Sequence, residues 1–157
     1  MNENVVFFWG GECSQWYASQ IVYRGINFNC AEQFMMYHKA ILMGDDETAQ
    51  KILDAPHPRQ QKRLGREITN FDQKLWDTYK RHIVYTGNYL KFSQNPNLKE
   101  YLFDTGDNLI VEASPEDAIW GIGLSEYEAS KIDPSEWPGQ NLLGLAIMEV
   151  RSDLKKL

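Results

Sequence analysis

The 157 residues are 43% hydrophobic and 13% aromatic, enough for one folded domain with its own core, which excludes a disordered chain. A formal charge of −6 excludes a protein that grips nucleic acid through a broad basic face, while leaving room for a local basic groove. No apolar run approaches the ~20 residues a membrane span needs, and the start MNENVVFFWGG has neither the basic head nor the long apolar core of a signal peptide. The expected location is the cytoplasm, where the two cysteines, Cys13 and Cys30, which have no metal-type spacing, stay reduced.

In chain order, NVVFFW reads as a short strand, and ASQIVYRGINFN as two short strands around an Arg24-Gly25 turn. A helix with apolar periodicity runs from about Asn29 to Met43 and ends near Gly44. Asp45 or Asp46 caps a further helix through ETAQKILDA, which Pro56 and Pro58 stop. PRQQKRLGREI is a short helix and FDQKLWDTYKRHIVYTGNYLKFSQ a long one; NPNLKEYLFDTG is another short helix, closed by Gly106. NLIVEAS is a strand, and LLGLAIMEVRSDLKKL is a strand or a helix that ends in a polar helical turn. There is no internal repeat, low-complexity segment or linker, so the expectation is a single domain over 1–157 of helix-dominated α+β class with a few short strands.

The stretch NCAEQFMMYHKA carries Glu32 and, seven residues later, Lys39. Two helical turns point both side chains the same way, with their Cα atoms about 10 Å apart. That is too far for a routine i,i+4 ion pair and suits two charged groups that reach toward one ligand. Glu32 can simply be a first-turn acid favoured by the helix dipole, with Asn29 or Cys30 near the cap. Walled by Phe34, Met35, Met36 and Tyr37, it can instead sit in a partly apolar pocket, where desolvation raises its pKa and fits it for acid or base work. Lys39 is either a solvated helical lysine or, facing a pocket, an amine nucleophile or electrostatic clamp.

A second constellation is EASPEDAIWGIG, where Asp117 lies three residues before Trp120, followed by Gly121 and Gly123. A capped turn with a core tryptophan would explain it. Equally, glycines let a backbone approach a ligand closely and an indole can stack on a flat base. A lone Gly-x-Gly is no dinucleotide fingerprint, because no strand–turn–helix unit with a downstream acid surrounds it. Arg59, Lys62, Arg63 and Arg66 fall at i, i+3, i+4 and i+7, one helical face that is either solvated or phosphate-binding. His38, His57 and His82 share no ligand spacing with each other or with the cysteines, so no zinc site is expected. No Walker A loop, Ser-His-Asp constellation or DNA-reading motif is present.

Taken together and in this order, these segments resemble the NADAR family, also called YbiA-like N-glycosidases, over nearly the whole chain. The resemblance begins with WGGECSQWYASQIVYRGINFNCAEQFMMYHKA, similar to the family's aromatic segment, strand turn and E-x6-K helix. It continues through Pro58, Lys62 and LGRE (Gly65, Arg66), then Trp76 in LWDTYKRHIVYTGNYLKF, with Lys91-Phe92 closing that helix. LKEYLFDTGDNLIVEASPEDAIWGIG supplies the family's TG, Glu112, Asp117 and Trp120-Gly121, and GQNLLGLAIMEVR supplies Gly139, Asn141, Leu143, Gly144 and Arg151. The chain departs from the commonest pattern at Gln33, where many members have histidine, and in the longer insertion LSEYEASKIDPSEWP, expected to form loops that bear on substrate choice.

The resemblance implies a YbiA-like fold and hydrolysis of the N-glycosidic bond between a ribose and a base or base-like amine. Its substrates would be riboflavin-pathway phosphoribosylamino-pyrimidines or ADP-ribose attached to guanine, free or within DNA. Positive charge develops at the anomeric carbon in such cleavage, so a carboxylate beside it stabilises the charge or activates water, and Glu32 and Asp117 are the two candidates. Lys39 would attack the opened sugar to give a Schiff base, as some relatives do, or would hold a ribose hydroxyl or phosphate. Trp76, Trp120 and Gly121 would line the heterocycle, Lys62, Arg63 and Arg66 would pair with phosphate, and Asn141 would bond the ribose. No metal, organic cofactor, membrane or obligate protein partner is implied. The rival reading is a module that binds ADP-ribose or a nucleotide without cleaving it.

Overall fold

The structure is a computed structural model that describes residues 4–157. Its elements run β1 (Val5–Phe8), β2 (Ile21–Tyr23), β3 (Ile26–Phe28), α1 (Ala31–Leu42), α2 (Asp46–Asp54), α3 (Pro58–Gly65), α4 (Gln73–Gln94), α5 (Pro96–Asp104), β4 (Leu109–Glu112), α6 (Glu126–Ala129), a 3-10 turn (Pro134–Glu136) and α7 (Leu142–Lys155). This is the helix-dominated α+β architecture the sequence predicts. The contacts gather in two compact units, Gln15–Asn95 and the flanking residues through Ser14 together with Pro96–Leu157. No described helix is long and apolar enough to cross a membrane.

In the unit Gln15–Asn95, β2 and β3 form an antiparallel hairpin in the register Ile21↔Phe28, Val22↔Asn27, Tyr23↔Ile26. Arg24 (φ 50°) and Gly25 (φ 80°) are both left-handed, as a two-residue primed turn requires. The hairpin's apolar side, Ile21 and Phe28, buries against Ala31 and Phe34 of α1. Helices α2, α3 and α4 all pack on α1, which is therefore buried along most of its length. Two glycines allow the close approach: a Cβ on Gly65 of α3 would run into the Met36 thioether, and one on Gly87 of α4 would lie 2.7 Å from the Phe34 ring.

Capping fixes the helix ends. Asp45 accepts from the Thr48 amide (3.0 Å) and hydroxyl (2.7 Å), starting α2, and also from the Thr69 amide (2.9 Å) and hydroxyl (3.0 Å), which ties the α1–α2 corner to the chain leading into α4. Gln33, the departure from the family pattern, is buried and fully bonded. Its Oε1 accepts the Asn29 amide at 2.7 Å, and its Nε2 donates to the carbonyls of Ile52 (3.0 Å), Leu53 and Ala55 (3.3 Å each), satisfying the C-terminal end of α2. His57 caps α3 through Nδ1, which accepts the Arg59 amide at 3.1 Å, with Pro58 at the first helical position.

In the other unit, β1 pairs with β4 in parallel, Val5↔Leu109 through Phe8↔Glu112. The open alternative at the C-terminus resolves as helix: α7 packs its apolar face on β4, and Gly144 lets that helix backbone reach the Ile110 carbonyl. Arg151, buried on α7, donates to the Thr105 hydroxyl at 2.8 Å. The insertion expected to be loop instead carries α6 and the 3-10 turn. Ser125 and Glu128 close a capping box, Ala129 is buried with Val111 and Ile122, and the Trp137 indole donates to the Ala129 carbonyl at 3.1 Å.

Candidate active site

Helix α1 starts without a side-chain cap at Cys30, and Glu32 lies in its first turn, where the helix dipole favours an acid. The Glu32 amide donates to the Gln15 carbonyl at 2.9 Å, and the side chain is only 5% exposed. Lys39, in the last turn of the same helix, is half-buried with its Nζ 4.9 Å from the Phe71 ring centre and 5.5 Å from that of Trp76. Trp76 is buried on α4, so it walls the lysine instead of meeting solvent.

Burial pushes the Glu32 carboxyl up to about 7, against the pull of Lys62, Lys39, a hydrogen bond from the Trp16 side chain, and Arg66. None of these cations closes into an ion pair with Glu32 among the described residues. They lower its pKa from a distance, and the desolvation cost wins. A carboxyl group in this state exists in both protonation forms near neutral pH, which is what proton transfer requires. Burial also holds the Lys39 ammonium below the usual lysine range, opposed by Glu32 and reinforced by Arg66. The amine is therefore easier to deprotonate than a surface lysine.

Five of the sequence candidates thus gather in the unit Gln15–Asn95: Glu32, Lys39, Lys62, Arg66 and Trp76. The basic face divides. All three are exposed, but Lys62 on α3 and Arg66 at its C-cap act on Glu32, whereas Arg63 is not among the groups whose charge reaches it. The remaining candidates lie in the other unit and hold its backbone. Asp117 Oδ1 accepts the amides of Ile119 and Trp120, both at 2.9 Å, which fixes the turn into Trp120 and Gly121. A Cβ on Gly121 would stand 2.9 Å from the carbonyls of Asp117 and Glu112, so this glycine makes room for its own chain. Asn141 is left-handed (φ 53°), accepts the Glu112 amide at 3.0 Å and donates to the Ile110 carbonyl at 3.0 Å.

Two residues around the acid and its lysine escape a reading of the sequence, Trp16 and Phe71. Trp16 stands beside Tyr17 and Phe71 between Asn70 and Asp72, and no spacing links either to Glu32 or Lys39. The thiol of Cys30, next to the site, is pushed up to about 11 by burial and donates to Gln61 Oε1 at 3.2 Å, so it is no nucleophile. His38 packs among Phe34, Phe28 and Tyr23, with Nδ1 2.8 Å from the Phe34 carbonyl, as a core histidine does. No three His, Cys, Asp or Glu side chains gather as a metal site among the described residues.

Comparison with known proteins identifies the family. The NADAR domain model matches residues 7–155. The chain is 50% identical over 123 residues to an N-glycosidase of Acanthamoeba polyphaga mimivirus, covering 78% of this chain and 72% of that protein. It is 40% identical over 131 residues to the protein irg-1 of Caenorhabditis elegans, covering 82% of this chain and 62% of that one. The NMR structure of the Escherichia coli protein YbiA superposes with a TM-score of 0.81 at 24% identity, covering 99% of this chain and 88% of the other, so the fold is shared. On the family match and the mimivirus relative together, the chain belongs to the NADAR domain family.

Proposed function

We propose that this protein is an N-glycosidase, a hydrolase of the bond between C1 of a ribose and the nitrogen of a base or base-like amine. The observation that carries the reading is Glu32, a buried carboxyl held near neutrality with Lys39 two turns along the same helix and the charges of Lys62 and Arg66 acting on it. The mimivirus relative, named an N-glycosidase, supports it.

In this reading the protonated Glu32 gives its proton to the departing nitrogen as the C1–N bond breaks and its electron pair goes to that nitrogen. The sugar is left electron-poor at C1. The neutral amine of Lys39 adds to C1, its surplus proton passes to the ring oxygen as the C1–O4 bond breaks, and a protonated Schiff base to the opened sugar results. Water hydrolyses it to the free sugar and the neutral amine, and the proton released returns to Glu32. Lys62 and Arg66 hold the substrate's phosphate, which compensates their charge while Glu32 is protonated. Trp76 and Phe71 shield the reacting amine from water. The substrate is a phosphoribosylamino-pyrimidine of the riboflavin pathway or ADP-ribose on guanine, and the reaction belongs to the cytoplasm.

A chromatographic assay of released base decides. The chain and its Glu32→Gln variant are incubated, without added metal, with a phosphoribosylamino-pyrimidine and with ADP-ribosyl-guanosine. Release from one substrate, reduced at least ~100-fold in the variant, is the expected result and selects the substrate class. No release from either, with equal ADP-ribose binding by both proteins, means a binding module without catalysis.

A further inference from the structure

Lys39, Lys62 and Arg66 influence Glu32 through long side chains that stop short of an ion pair. Trp16 makes a direct hydrogen bond to the same carboxyl, and it is the uncharged partner among the groups that act there. We infer that Trp16 is a positioning residue for Glu32, whose indole N–H fixes the carboxyl rotamer and sets the pH at which the acid changes charge.

The anchoring of Trp16 supports this role. The preceding residue, Gln15, accepts the Glu32 amide through its carbonyl at 2.9 Å. Its side-chain amide forms a reciprocal pair with Asn88 of α4, at 2.9 Å and 3.2 Å, and the fully buried Asn88 is tied in turn to the Val84 carbonyl at 2.8 Å. The Trp16 ring meets the His57 ring edge-on, with centroids 6.3 Å apart and planes at 81°. The indole is 39% exposed, and the Gln15 backbone and the His57 ring help to hold it. An indole N–H donates only and never titrates, so it favours the ionised carboxylate over the acid without bringing a charge of its own.

The charged and titratable groups acting on Glu32 are Lys39 on α1, Lys62 on α3, Arg66 at the C-cap of α3 and, at the start of α1, the Cys30 thiol. From α4, Lys91 acts on Cys30, and His57, at the cap of α3, faces Trp16. Of these groups, Glu32 is the one that takes the indole N–H of Trp16 directly.

This inference rests on Glu32 being the working acid, and it is tested without substrate as well as with it. The chain contains five tryptophans, so Trp16→Phe should remove one indole signal from a nitrogen–proton correlation spectrum and leave four. In the unaltered chain the Trp16 indole signal should titrate between pH 5 and 9, and that titration should vanish in Glu32→Gln. In Trp16→Phe the carbon-13 carboxyl signal of Glu32 should titrate about one pH unit higher. With substrate, the corresponding limb of kcat/KM should move by the same amount, where a merely structural loss would lower the rate equally at every pH. An indole titration that survives Glu32→Gln comes from another group and overturns the proposal, whether or not Trp16→Phe folds. A Glu32 titration unmoved in Trp16→Phe overturns it as well. A chain that shows both spectral effects yet releases no base refutes the glycosidase reading and leaves this one standing.

Discussion

The two ends of α1 carry acids in opposite circumstances. At the C-terminal end, Asp45 accepts four hydrogen bonds from Thr48 and Thr69, and these donors hold its carboxyl well below the usual carboxylate range. At the N-terminal end, Glu32 is buried with a tryptophan donor and distant cations, and its carboxyl is pushed up to about 7. The comparison separates what an acid does for the fold from what it does for chemistry. An acid whose oxygens are filled by the protein stays charged and holds structure, and one left short of partners keeps a mobile proton.

Exchanging Glu32 for glutamine should have the largest effect on catalysis, the ~100-fold loss or more given above, while stabilising the protein in alkali. The raised acid sets the sign. Stability is full below the ordinary value of 4.5 and is lost as pH rises through about 7, because ionising a buried group opposes folding. By pH 9 the wild type should have lost about 3 kcal/mol on this account, a loss that Glu32→Gln escapes. Denaturant unfolding at pH 5 and pH 9 reads the difference, and equal stabilities of the two proteins at both pH values would contradict it.

Asp45→Ala should do the reverse, with little change in the chemistry per folded molecule and a fall in Tm of roughly 10 °C at pH 7, since four donors lose their acceptor. Here the folded pKa is depressed, so the stabilisation is present above the unfolded value and fades as pH drops through the folded one. Thermal scans should therefore show the gap between wild type and variant narrowing below about pH 4. A gap as wide at pH 2 as at pH 7 would mean the carboxylate is not what holds the corner.

The smallest effect tests Asp117, which resembles Asp45 in having its oxygen filled by backbone amides. Asp117→Asn retains an acceptor for both amides and should leave stability unchanged, whereas Asp117→Ala should cost about 1 kcal/mol. If base release collapses in the asparagine variant while its Tm stays put, Asp117 takes part in the chemistry and the rule drawn from α1 has an exception.

Local signals make much of this legible. The Arg24-Gly25 turn, the Asp45 cap, the end of α1 at Gly44 and the shared direction of Glu32 and Lys39 all follow from residues close in sequence. The capping box Ser125-x-x-Glu128 is an equally local signature, and it marks α6 inside a segment that otherwise reads as loop. Other features depend on distant partners. The parallel pairing of β1 with β4 joins segments about a hundred residues apart, and the apolar segment of α7 is buried in a way that suits strand or helix alike. The donation from Trp16 to Glu32 crosses the hairpin, and Arg63 separates from Lys62 and Arg66 only once the turn of α3 against α1 is fixed.

The two glycines pressed against α1 have a consequence for how such a site can diverge. Gly65 on the Met36 thioether and Gly87 on the Phe34 ring bring the backbones of α3 and α4 hard against the helix that carries Glu32 and Lys39. The spacing between the acid and the charges of α3 is thereby a property of main-chain contact, indifferent to what grows on the outer side. Substitutions at exposed Arg59 and Arg63 can rewrite the charge a visitor meets while the acid, the amine and their aromatic wall stay in register. The fold works as a jig, with the reaction machined on its inner edge and the address label left free to change.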